Sequence, residues 1–313
     1  MRSNPGEREQ PGQTISWQPG RAAGQRLDGP PDPPACRPDQ ATAIGPVPDT
    51  DNSGYRYVER EIFHTSNETL CRLERLHVRA WPASETERID GWLWRWSGGG
   101  SQRANSVSTV DFIGGDPADA LDRVEQRYRA KGSPARFHTF DLSQPAALPA
   151  LLAARGYGAG ETTVTMLAVA PLSEPPATPS ASVEIASDPT PEWLAVYLEA
   201  ITESRRVVNS RILRRIPDPR AFFSVRRDGR VISTALCVAD AGLAVAECVA
   251  TRADARGQRG ADLAMRALMA WAASMGAHTV GLQVVENNQA ALALYRRLGF
   301  RPVCTNRFWA RPV

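Results

Sequence analysis

Two stretches of this chain follow the same helix-strand-helix plan, and in each the helices stop on glycines at nearly the same interval. In the C-terminal part an amphipathic segment closes at Gly276, a strand follows, and a short helix closes at Gly299-Phe300, 23 residues on. In the N-terminal part Gly132 and Gly156-Tyr157 stand 24 apart, with Phe137 and Phe140 in the strand between them. Glycine just past a helix end takes the left-handed backbone that other residues resist, so these four mark helix stops. A repeat of this kind predicts two related α/β halves derived from one unit used twice.

Periodicity fills in the rest of each half. The spacing predicts a helix from Glu192 to about Ser204, with Trp193, Val196, Tyr197, Ala200 and Ile201 on one stripe. Phe222–Val225 and Val231–Val238 read as strands around Asp228-Gly229, a strong hairpin turn, and Leu243–Ala250 reads as a third. A helix over Ala261, Ala264, Met265, Leu268, Trp271, Ala272 and Met275 comes next, then a strand over Thr279–Val285 and a helix over Gln289–Leu298. In the first half Trp92, Trp94 and Trp96 alternate with Leu93 and Arg95, the pattern of a strand packing one aromatic face into a core. A helix is expected from Pro117, with Leu121, Val124 and Tyr128 on its buried side.

Proline marks the boundaries. Residues 1–55 hold ten of the 25 prolines and little apolar periodicity, so they are expected to be a disordered leader. Residues 171–181, with Pro171, Pro175, Pro176 and Pro179, read as a linker between a first domain, 56–170, and a second, 182–313. No apolar run reaches the ~20 residues of a membrane helix, and the N-terminus lacks the apolar stretch of a secretory signal, so a cytoplasmic protein is expected. A net charge of +3 on 313 residues gives no reason to expect nucleic acid as a partner. Five scattered cysteines without a C-x-x-C pair point to reduced thiols and give no support for a metal site. G-x-S-x-G and G-x-G-x-x-G are both absent, which argues against a serine hydrolase and a Rossmann dehydrogenase.

The chemistry concentrates at Arg256-Gly257-Gln258-Arg259-Gly260-Ala261, a basic, glycine-containing turn at the start of a helix. The first N–H groups of a helix have no intrahelical partner and the helix dipole adds positive charge, so a phosphate is held well there. Asn288 follows Arg256 by 32 residues and Tyr295 follows it by 39. The corresponding turn of the first half, Gly114-Gly115-Asp116-Pro117, is acidic, and Pro145 and Leu152 stand where the second half has Asn288 and Tyr295.

This combination resembles the GNAT superfamily of N-acetyltransferases, most closely from Val249 to Phe300. The first half looks like the degenerate N-terminal unit of two-domain bacterial members. The resemblance implies a tandem α/β fold, each half a central mixed sheet flanked by helices. It also implies transfer of an acetyl group from acetyl-CoA, the co-substrate, to a primary amine by direct attack through a tetrahedral intermediate. The family's pyrophosphate pattern, [RQ]-x-x-G-x-[GA], falls on Arg256 through Ala261, with Arg259 in place of its glycine. By the same resemblance Val249, Ala250 and Thr251 supply main-chain contacts, Asn288 helps hold the co-substrate, and Tyr295 protonates the departing thiolate.

The base is the open position. Many ribosomal-protein acetyltransferases carry a glutamate five residues before the matching asparagine, and here that residue is Gln283. Glu247 and Glu286 are the nearby carboxylates, and Glu247 is the preferred base because it lies on the strand leading to the turn. The acceptor is expected to be a small-molecule or peptide amine, bound under cover of the first half, and a homodimer is allowed. Arg259 and the missing glutamate keep one rival open: an acyl-CoA-binding sensor or pseudoenzyme without turnover.

Overall fold

A computed structural model describes residues 65–170 and 181–313, which fall in one compact unit. The expected leader and the linker up to residue 180 lie outside the described residues. In the first half the order is α1 (Asn67–Ala80), β1 (Glu85–Ile89), β2 (Trp92–Trp96), β3 (Val107–Ser108), α2 (Pro117–Ala130), β4 (Ala135–Phe140), α3 (Leu148–Ala154) and β5 (Gly158–Val169). The second half runs β6 (Ser182–Ala186), α4 (Pro191–Glu199), α5 (Glu203–Leu213), β7 (Arg220–Arg227), β8 (Arg230–Asp240) and β9 (Leu243–Thr251). It ends with α6 (Gly260–Ser274), β10 (Thr279–Val285), α7 (Gln289–Arg297) and β11 (Arg301–Arg311).

Among the described residues the strands form one sheet in the order β1-β2-β3-β4-β11-β5-β10-β9-β8-β7-β6. The order is symmetric about the β11/β5 pair: β4 answers β10, β3 answers β9, β2 answers β8 and β1 answers β7. The fold is therefore the expected mixed α/β tandem. What the sequence did not reveal is that each half lends its last strand to the other. β11 is inserted between β4 and β5, and β5 between β11 and β10, all antiparallel. Hydrogen bonding along 12-residue and 11-residue strands thus ties the halves together at the centre of the sheet.

The four glycine stops predicted from the repeat all have positive φ, 59° at Gly132, 81° at Gly156 and Gly276 and 89° at Gly299. The predicted helix over Glu192–Ser204 is two helices: α4 ends at Glu199, and Thr202, in extended backbone, starts α5. Helix α1 and the exchanged strands β5 and β11 were not anticipated either. Trp92 and Trp94 are buried against Val124, Tyr128 and Phe137, and Trp96 packs at the edge of this core. Helices α6 and α7 cover one large apolar cluster, which also takes in Met166 and Ala168 of β5. A second cluster joins Leu73 and Leu76 of α1 to Trp193, Phe222, Leu236 and Val245. Burying side chains of this size contributes about 1.5–3 kcal/mol each, so α1 is anchored on elements of the other half as well as on Val110 and Phe140 of its own. That placement delivers first-half residues to the site described next.

Candidate active site

β9 and β10 run in parallel but pair only at Leu243 with Thr279, Ala244 with Val280 and Val245 with Gly281. Beyond Gly281, β10 continues along β5 alone, while β9 continues along β8. The cause lies in β9. Its register against β8 slips between Thr234 and Leu236, and Cys248 takes a φ of 53°. The extra residue forms a bulge that bends the strand away from its neighbour. Two parallel strands parting in mid-sheet leave a cleft, here of about 1390 Å³.

One end of the cleft is the start of α6. Gly257 has a φ of 78°, and Arg259, the residue before the helix, is also left-handed at φ 62°. Arg259 thus holds the backbone conformation that the family's glycine would adopt freely, at a cost of about 1–2 kcal/mol. Its side chain turns along the helix to Asp262 Oδ2 at 3.1 Å, where Arg266 Nε also donates at 3.1 Å. No side chain caps α6, so its leading N–H groups remain available to a ligand. Gly260 is small for another reason: a Cβ there would lie 2.8 Å from Ser233 Cβ, and the close approach seats the helix start on β8.

The remaining sequence-predicted residues sort clearly by position. Val249, Ala250 and Thr251 on β9, with Arg256, Ala261 and Asn288, all line the cleft. Gln258 does not line it; its amide donates to the Asp254 carbonyl. Asn288 caps α7, accepting from Ala291 N–H at 3.2 Å. Glu286 is exposed and outside the cleft wall.

Tyr295 reaches the cleft from α7, its ring packed near Phe300. Burial, reinforced by the negative charge of Glu247, pushes its hydroxyl up to about 12. The group therefore stays a proton donor throughout the physiological range. Glu247 lies on β9, 7% exposed, with Oε1 accepting from Arg103 Nη1 at 2.7 Å and facing His77 Nδ1 at 3.1 Å. Burial alone would raise this carboxyl, but the Arg103 charge and the hydrogen bonds from His77 and Arg103 outweigh it and hold it down to about 2. A carboxylate so weakly basic is suited to holding a cation and poorly suited to removing a proton at neutral pH.

Sequence reasoning missed both partners of Glu247. His77 belongs to α1, and Arg103 to the turn between β2 and β3, where its guanidinium sits 4.6 Å from the centre of the Trp81 ring. It also missed Glu74, one turn before His77, which accepts from Gln283 Nε2 at 2.9 Å and Asn306 Nδ2 at 2.6 Å. Burial raises the Glu74 carboxyl, partly opposed by the nearby His77 and the two amide donors. Such contacts across 144 to 232 residues leave no local pattern to read.

Residues 68–309 match the family described as "Probable histone acetyltransferase Rv0428c C-terminal". The chain belongs to the GNAT N-acetyltransferases. It is 27% identical over 244 residues to the "Uncharacterized N-acetyltransferase YobR" of Bacillus subtilis, covering 76% of this chain and 97% of that one. The solved GCN5-related N-acetyltransferase of Kribbella flavida superposes with a TM-score of 0.61 at 18% identity, over 78% of this chain and 95% of that one. A tandem GNAT protein from the clavulanic acid biosynthesis pathway gives 0.55 at 14% identity, over 78% and 87%. These two structures share the fold.

Within this GNAT fold the first half has closed its own version of the cleft. β3 and β4 also part after two paired residues, but Thr109 Oγ1 bonds Ser143 Oγ at 2.7 Å and the His138 carbonyl at 2.9 Å across the gap. The start of α2 is blocked as well: Asp116 accepts from Ala118 N–H at 2.8 Å, and Pro117 has no N–H to offer. An anion at that helix start would meet a carboxylate. Among the described residues of this N-acetyltransferase no helix is long and apolar enough to cross a membrane.

Proposed function

We propose that this chain transfers the acetyl group of acetyl-CoA to a primary amine in the β9/β10 cleft. The observation that carries the reading is that an uncapped, arginine-flanked helix start and Tyr295 line one and the same cleft. The residues fit the co-substrate. A pyrophosphate finds free N–H groups on α6 and the Arg256 side chain, and a pantetheine chain finds the edge of β9 at Val249–Thr251 left unpaired by β10.

Acetyl-CoA supplies an activated thioester carbonyl. The chain's contribution is placement and one proton. The parted stretch of β9 would offer a main-chain N–H to the developing oxyanion, and Tyr295 delivers its proton to the sulfur as the C–S bond breaks. Glu247, held ionised by Arg103 and His77, orients the amine rather than deprotonating it. The acceptor therefore loses its ammonium proton to water and attacks as the free amine, and the proton its nitrogen sheds as the C–N bond forms restores the one that Tyr295 gave up.

Calorimetric binding of acetyl-CoA, followed by thiol release with a panel of primary amines, tests the reading. Saturable binding with amine-dependent release supports it. Binding without release by any amine would instead favour a sensor, and no binding would remove the assignment of the cleft.

A further inference from the structure

The cleft carries five arginines, Arg103, Arg256, Arg259, Arg266 and Arg297, against two carboxylates, Glu247 and Asp262. Both carboxylates are already engaged: Asp262 by Arg259 and Arg266, Glu247 by Arg103 and His77. A basic peptide tail entering this space would meet a positive field, with both carboxylates of the wall already ion-paired. Four of the arginines belong to the α6 and α7 end, where the phosphates are placed. Arg103 alone comes from the first half, and it stands at the opposite end beside Tyr197, Glu247 and Cys248.

The pairing there is one-sided. Arg103 spends only Nη1 on Glu247, and both Arg103 and His77 use the same oxygen, Oε1. That leaves the remaining guanidinium N–H groups and Glu247 Oε2 for a ligand, in a wall that is partly open at Arg103 (27% exposed). The guanidinium also lies over the Trp81 ring, a cation–π contact that restrains it. A rigid fork of donors beside a free carboxylate oxygen is the complement of a small molecule that carries a carboxylate and an amine together.

Building on the acetyl-CoA reading, we propose that the acceptor is an amino-acid-like amine whose own carboxylate docks on Arg103 while its nitrogen is held at Glu247 Oε2. The N-terminal half then serves the reaction as a specificity element. Its cleft is closed, but its Arg103 selects what the other half acetylates. The transfer itself balances without further reagents: the acceptor nitrogen forms the C–N bond, the C–S bond breaks, and the thiol leaves with a proton.

The test is thiol release from acetyl-CoA with matched acceptors: glycine, L-phenylalanine and L-glutamate, their α-carboxamides, and a lysine-containing basic peptide. The carboxylates are expected to exceed their amides in kcat/KM by at least ~10-fold, the value of a charge-assisted contact, with the peptide poorer still. In Arg103→Gln that preference is expected to collapse towards unity while acetyl-CoA binding by calorimetry is retained. Arg103→Lys, which keeps the charge on Glu247 satisfied but lacks the fork, should lose most of the preference and guards against a folding defect in the first variant. Amides or peptide preferred by the wild type would overturn the inference while leaving the acetyltransferase reading intact. Turnover of none of these acceptors despite bound acetyl-CoA would overturn it as well, and absence of acetyl-CoA binding would remove the earlier reading too.

Discussion

Gln283 donates its side-chain amide to Glu74 at 2.9 Å, so the position that bears a carboxylate in many ribosomal-protein acetyltransferases here leans on a carboxylate from α1 of the other half. The acidic group has not vanished from this neighbourhood; it arrives from a different element and lies buried behind the cleft wall.

Restoring the acid directly, as Gln283→Glu, sets a half-buried carboxyl against the buried carboxyl of Glu74. Glu74 is already raised above the usual range by burial. A carboxyl raised by folding binds its proton more tightly in the folded chain. It favours the fold fully below its unfolded value and gives that up as pH rises through the folded value. The introduced carboxyl has the same sign, so Gln283→Glu is expected to lose about 1–3 kcal/mol near pH 7.5, with the deficit shrinking towards pH 5. Denaturation midpoints across that range check it, and a deficit that grows on acidification would contradict the assigned burial of Glu74.

Tyr295→Phe removes the only proton the chain is assigned to deliver. We expect kcat to fall by ~10²–10⁴-fold with the acetyl-CoA KM changing much less. Because the wild-type hydroxyl is pushed up to about 12, it should cause no alkaline loss of activity below ~pH 11. The rising limb of kcat/KM should instead move with the pKa of the amine supplied, as follows when Glu247 does not act as base. A limb fixed across amines of different pKa would restore a protein base.

Gly260→Ala is expected to be the more damaging of two glycine changes at the turn. The added methyl meets Ser233, whose hydroxyl bonds the Ala250 carbonyl at 2.7 Å and Thr251 Oγ1 at 2.8 Å, so the helix start and the β9 edge shift together. The expected loss is about 1–3 kcal/mol, with weakened acetyl-CoA binding. Gly257→Ala meets no neighbour and carries only the strain of its positive φ, about 1–2 kcal/mol. Urea denaturation of the two variants separates packing from backbone strain.

The repeat of helix stops at Gly132, Gly156, Gly276 and Gly299 made the tandem α/β plan readable, because a left-handed residue is a local demand that sequence displays. The turn at Arg256–Ala261 and its distances to Asn288 and Tyr295 were readable for the same reason. The strand exchange was not. Gly158-Ala159-Gly160-Glu161-Thr162-Thr163 opens β5 without apolar alternation, since its partners β10 and β11 belong to the other half. Helix α5 hid because its outer face carries Val207, 62% exposed, among charged residues, which blurs the stripe. Glu247 could be singled out from its strand, but its chemistry is set by His77 and Arg103, 170 and 144 residues upstream. His77 comes close because α1 packs across to the second half, and Arg103 reaches over from the turn between β2 and β3.

By our proposal the start of α6 holds the pyrophosphate of acetyl-CoA, whereas Asp116 at the start of α2 denies that role to the first half. Calorimetric titration of acetyl-CoA into the wild type and into Arg259→Asp tests it most directly, since that substitution puts a carboxylate at the start of α6 as Asp116 does for α2. Saturable binding to the wild type is expected, with a loss of at least ~10²-fold in Arg259→Asp and the fold intact by circular dichroism. Equal affinity of the two proteins for acetyl-CoA would contradict it.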